Sequence, residues 1–198
     1  MLMSRWVITV LAMSAAFVAL PAVAHEISGT RGDDVLWGTS RRDEIRGLAG
    51  DDVLHGRRAV DSLRGGGGSD KLRGGKGMDG LLGGRGSDIL RGGRDPDTLI
   101  GGPGSDLLIA GRGEAVPDGL SGGPGDDRLY AGPGNNIMGA EGGADIVYAG
   151  RGRDLIVVHD DGDVDILRCG PGRDRVHYND RHDSEDRLFD CERSHAAN

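Results

Sequence analysis

The chain has 198 residues, of which 38 are glycine, with a formal charge of −8, a hydrophobic fraction of 36% and an aromatic fraction of 4%. So little apolar mass excludes an ordinary packed core at this length, and the acidic balance argues against nucleic acid as the main partner. Acidic, glycine-rich chains of this kind stay unfolded until cations neutralise them.

In chain order, residues 1–24 read as a secretory signal peptide. Arg5 precedes an apolar run from Trp6 to Leu20, and Ala22-Val23-Ala24 supplies the small-residue cleavage pattern, so that the mature chain begins near His25. The apolar run falls short of the about 20 residues a membrane helix needs, which predicts no membrane span in the mature chain. Export would make the protein secreted, in a compartment where disulfides persist.

Residues 25–157 form the second segment. From Gly29 to Val157 a nine-residue phrase recurs with one interruption, seen clearly in Gly65-Gly66-Gly67-Gly68-Ser69-Asp70-Lys71-Leu72-Arg73 and in the two copies that follow it. Its sixth place reads Asp34, Asp43, Asp52, Asp61, Asp70, Asp79, Asp88, Asp97, Asp106, Asp118, Asp127, Asn136, Asp145 and Asp154, and its eighth place is always aliphatic. Glycines that tolerate positive φ let the first six residues turn tightly while the last three run extended. One aliphatic residue per strand stub cannot bury itself alone, so successive stubs must stack into a shared interior. Two copies make one coil, and residues eighteen apart should lie above one another at about 4.8 Å.

These in-phase copies resemble the RTX (haemolysin-type) calcium-binding proteins, whose nonapeptides build a β-roll. The resemblance implies an all-β, right-handed parallel β-roll or β-helix solenoid that holds Ca2+ between adjacent coils. Carboxylates beside exposed glycine carbonyls suit calcium, which takes six to eight oxygens in a tolerant geometry. Alternate copies share an edge. On the first edge Asp34, Asp52, Asp70, Asp88, Asp106, Asp127 and Asp145 predict a continuous calcium column, because the glycine two places earlier is intact in every copy. On the second edge Arg41, Ala59 and Asp95 replace that glycine, which predicts patchy occupancy, mainly near Asp79, Asn136 and Asp154. The alternative is that the aspartates only cap turns through local hydrogen bonds.

Three inserted residues around Glu114-Ala115-Val116-Pro117 predict a surface loop. Residues 158–198 make an irregular coil and cap, in which Cys169-Gly170-Pro171-Gly172-Arg173-Asp174 restores the motif and Cys191 follows. These two cysteines are expected to pair in an exported chain, closing the last coil. The segment also looks like the ending of small secreted calcium-binding proteins.

No HExxH or GxSxG motif occurs, and binding rather than catalysis is the expected activity. Among the histidines, His177 and His182 with Asp180 and Asp183, an N-terminal His25, and the trio Ser184, His182 and Asp186 are the conceivable metal or catalytic groups; neighbours in sequence make no constellation. The outward positions of the first strand, among them Trp37, Ile89, Leu107, Ile109, Tyr130 and Tyr148, read as an apolar contact face. They support the alternative function, a calcium-rigidified module recognising a cell-surface glycan or protein partner.

Overall fold

A computed structural model describes residues 24–112, 116–159, 161–178 and 186–193. The expected signal peptide, the Glu114-Ala115 part of the loop, and Asp180, His182, Asp183 and Ser184 lie outside the described residues.

The described chain is all-β. Strands from His25–Ser28 to Glu192–Arg193 fall alternately into two parallel sheets, sheet A with ten strands and sheet B with nine. Every strand except the one at each end of the two sheets therefore pairs with the second strand before it and the second after it. This is a parallel β-solenoid of about nine turns. The register keeps each eighth-place residue over its equivalent: Ile45, Leu63, Leu81, Leu99, Leu120, Met138, Ile156 and Val176 line up in sheet A, and Leu36, Leu54, Leu72, Leu90, Leu108, Leu129, Val147 and Leu167 in sheet B. These side chains are the interior, most of them fully buried, because their neighbours at the seventh and ninth places point to the opposite face of each strand.

The strands reach further than three residues. In the best-formed coils, as in Val53–Arg58 and Ser62–Gly67, they run through the ninth place into the glycines of the next copy. Second-place residues are left-handed there, including Leu48 with φ 90° and Arg57 with φ 84°, which are not glycine.

Insertions do not disturb the stacking. The coil containing the three extra residues pairs Leu99 with Leu120 and Leu108 with Leu129, and the coil with two extra residues pairs Val147 with Leu167. The surplus falls between Gly111 and Gly119 and between Val158 and Ile166, outside the described strands, where no ladder has to be kept. At the C-terminal end Cys169 and Cys191 form a disulfide with Cα atoms 5.2 Å apart, tying the last strand region to a buried residue of the preceding coil.

Candidate metal centre

The turns at the two edges of the solenoid place the sixth-place residues in two columns, nearly inaccessible from Asp43 onward, with Asp34 at the end of the roll half-buried. The column at the first edge feeds sheet B and the column at the second edge feeds sheet A. Within each column, the backbone N–H of one aspartate donates to Oδ1 of the aspartate one coil further on. In the first column Asp34 donates to Asp52, Asp52 to Asp70, Asp70 to Asp88, Asp88 to Asp106, Asp106 to Asp127 and Asp127 to Asp145, at 2.7–2.8 Å. The second column behaves alike: Asp43, Asp61, Asp79, Asp97 and Asp118 are linked at 2.7–2.8 Å, then Asp118 donates to Asn136 at 3.1 Å and Asn136 to Asp154 at 2.7 Å.

The other carboxylate oxygen is what distinguishes the site. Oδ2 of Asp52, Asp70, Asp88, Asp106, Asp127 and Asp145 in the first column, and of Asp61, Asp79, Asp97, Asp118 and Asp154 in the second, is buried with no hydrogen-bond partner. An orphaned buried acceptor is costly, and a repeated one calls for a counter-charge. First-place glycine makes room for it: a Cβ on Gly47, Gly65, Gly83 or Gly101 would overlap Oδ2 of the aspartate five residues on, and would lie within 2.7 Å of the carbonyl oxygen of the first-place glycine one coil further. Carboxylate and carbonyl oxygens therefore crowd one small volume.

Two copies depart from this. Thr30 and Thr39 occupy the second place, and each donates its N–H at 2.6 Å and its hydroxyl at 2.9–3.1 Å to Oδ2 of Asp34 and Asp43. At these two aspartates the local cap is present, and Asp34 is the member of the predicted set whose Oδ2 is satisfied internally. In the C-terminal half, Ala110, Ala131 and Ala149 at the first place of the second edge bury methyl groups where glycine leaves space earlier, alongside Asp118, Asn136 and Asp154. Asn136 also donates from Nδ2 to the Gly132 carbonyl at 3.4 Å.

Of the residues singled out from sequence, Asp34, Asp52, Asp70, Asp88, Asp106, Asp127 and Asp145 fall in one column and Asp79, Asn136 and Asp154 in the other. Asp61, Asp97 and Asp118 stand in the second column with the same bonding, although the local sequence argued against them. Ala59 and Asp95 adopt the left-handed turn with φ of 79° and 72° in place of glycine. Asp165, Asp174 and Asp186 extend the columns past the regular repeats: the N–H groups of Asp145, Asp154 and Asp165 donate to them at 2.8, 2.9 and 3.0 Å. Asp174 belongs to the restored motif, whereas Asp165 and Asp186 carry only an aspartate two places before an aliphatic residue, hidden by irregular spacing.

Desolvation raises the carboxylates. Burial, reinforced by the carboxylates above and below, pushes Asp61 and Asp165 up to about 7 and Asp145 to about 8, while bonds from backbone N–H groups act in the opposite sense. Asp97 rises to about 8 from the same causes, and Asp70, Asp79, Asp88 and Asp106 to about 6, chiefly through burial. Among the described residues no three His, Cys, Asp or Glu side chains converge as a ready-made metal cluster. A cation here would take carboxylates from adjacent coils and complete its shell with main-chain carbonyls. An all-oxygen set suits calcium better than zinc, whose sites draw chiefly on nitrogen and sulfur.

Residues 28–63, 49–81, 57–90, 82–114 and 121–156 match the profile of the RTX calcium-binding nonapeptide repeat, described as four copies. No match is found among characterised proteins.

Proposed function

The chain belongs to the RTX calcium-binding nonapeptide-repeat family, and on that premise we propose that it is an extracellular calcium-binding solenoid whose folding is coupled to the ion. The observation that carries this reading is the double row of buried Oδ2 atoms without hydrogen-bond partners. Asp52, Asp70, Asp88, Asp106, Asp127 and Asp145 on the first edge would hold calcium together with glycine carbonyls; Asp79, Asn136 and Asp154 do so on the second, joined by Asp61, Asp97 and Asp118. Calcium, when bound, supplies the positive charge that allows stacked carboxylates to be ionised together. Asp34 makes the weakest contribution, because Thr30 already serves its Oδ2.

A secreted location follows from the leader-like residues 1–24 and is supported by the Cys169–Cys191 disulfide, a bond favoured in oxidising compartments. The role is binding, with no catalytic constellation in the sequence. Far-UV circular dichroism of the chain from His25 onward should show β-structure in calcium and its loss in EGTA, with magnesium a poor substitute. Calorimetric titration of the Asp70→Ala/Asp88→Ala variant should give a lower calcium stoichiometry. Equal structure in EGTA, or an unchanged stoichiometry, refutes the reading.

The aromatic stacks on sheet B favour a second role, recognition by the rigid roll. Tyr130 and Tyr148 lie parallel with centroids 4.7 Å apart, and Trp37 and His55 with centroids 3.9 Å apart.

A further inference from the structure

Sheet B carries a charge pattern opposite to that of the whole molecule. At the third place of four successive second-edge turns stand Arg58, Lys76, Arg94 and Arg112, all exposed, with Arg58 paired to Lys76 and Lys76 to Arg94 across neighbouring strands. Arg73 and Arg91 form a parallel column on the sheet face. Between the two columns Gly75, Gly93 and Gly111 stack in register and leave a floor without side chains. The result is a shallow groove of about 740 Å3 that also takes in Trp37, His55 and Arg57.

Nothing in the described chain neutralises these cations. The outward positions of sheet B between Val35 and Arg112 hold no carboxylate, and the described ion pairs involve only His25, Arg46 and Arg64 with Glu26, Asp43 and Glu44 on sheet A. Asp95, at the rim, is engaged by the Gly77 N–H at 3.1 Å. Like charges directly opposite on paired strands destabilise a sheet, so such columns ask for an external anion with matching spacing. At one end Trp37 is half exposed, stacked on His55 with Arg57 5.2 Å from its ring centroid.

We propose that this groove binds a linear acidic polysaccharide, its anionic groups spread along the two cationic columns and one sugar ring lying on the Trp37 face. Cations repeat at one strand spacing, about 4.8 Å, which is close to the length of one pyranose in an extended chain. A single aromatic platform suits one sugar ring. A single-stranded nucleic acid would call for stacking surfaces along the whole groove, where Arg91, Ile109 and glycine stand instead. The proposal rests on the folded roll, so binding is measured in calcium, with circular dichroism in the same buffer separating a failed roll from a failed groove.

Beyond Trp6 in the leader, Trp37 is the only tryptophan, so its fluorescence reports directly on the groove. Titration with a galacturonate oligomer too short to gel with calcium should give a saturable change that weakens with added salt. Its methyl-esterified counterpart should give none. The Arg58→Gln/Lys76→Gln/Arg94→Gln variant should bind about tenfold more weakly, since each exposed charge pair contributes a small factor, while keeping the calcium stoichiometry of the parent. Equal binding of the esterified oligomer, undiminished binding by the folded variant, or tighter binding of oligothymidylate overturns the proposal. The comparison of charged and esterified oligomers on the parent chain decides the matter even if the variant misfolds.

Discussion

At the residue scale, Ala59 shows how neighbours override local preference. A residue with a Cβ at positive φ costs roughly 1–2 kcal/mol relative to glycine, which is why the sequence marks Ala59 and Asp95 as broken turns. Both nevertheless turn left-handed, because the coil one rung further on dictates the path: the aspartates two residues on, Asp61 and Asp97, are locked by backbone–carboxylate bonds of 2.7–2.8 Å to Asp79 and Asp118. Ala59→Gly should therefore stabilise the calcium-loaded roll by about 1 kcal/mol, the relief of strain being partly offset by a more flexible unfolded chain. Gly86→Ala should act in the opposite direction, since φ is +117° and the new Cβ would strike the carbonyl of Gly68. Thermal melts of the two variants check the pair, and a lower midpoint for Ala59→Gly would show that its turn is not strained.

At the scale of strands and coils, what was legible depended on periodicity. The eighth-place aliphatic column and the sixth-place aspartates could be read because the nine-residue phase holds from Gly29 to Ile109 and resumes after a single insertion, and the parallel solenoid, its interior and its closing disulfide followed. Asp165 and Asp186 were not legible: they lie 20 and 21 residues beyond Asp145 and Asp165, so counting loses them while the hydrogen-bond ladder keeps them. Nor could the sequence reveal that, from Asp52 and Asp61 to Asp145 and Asp154, each aspartate Oδ1 is consumed by an amide of the preceding coil, leaving Oδ2 alone. The last coils end on short strands of two to four residues, beyond which no further described coil covers the ladder. The disulfide spans a separation of 22 residues there, which in the chain-entropy model contributes about 3 kcal/mol. Cys169→Ser/Cys191→Ser should expose this end first, so that limited proteolysis in calcium trims the C-terminal coils while the coils around Leu72 and Leu90 stay protected. Uniform cleavage along the chain would mean that the bond braces the entire roll.

At the scale of the whole molecule, the two carboxylate columns set the response to pH. The aspartates titrate near 3.8 when unfolded, whereas in the fold Asp70, Asp88 and Asp106 are raised to about 6, Asp61 and Asp127 to about 7, and Asp97 and Asp145 to about 8, with burial the first cause in each. Between those values the folded chain binds more protons than the unfolded one, so stability without metal falls as pH rises from about 4 and levels off above about 8. Stripped of metal, the roll should therefore be more structured at pH 5 than at pH 8. In excess calcium the order should reverse, because the ion competes with protons for the same oxygens and its apparent affinity grows as they leave. Parallel circular dichroism melts of the calcium-stripped chain in metal-free buffer and of the chain in calcium across this range test both arms. A metal-free chain equally folded at both pH values would show that the columns are not the electrostatic burden their burial implies.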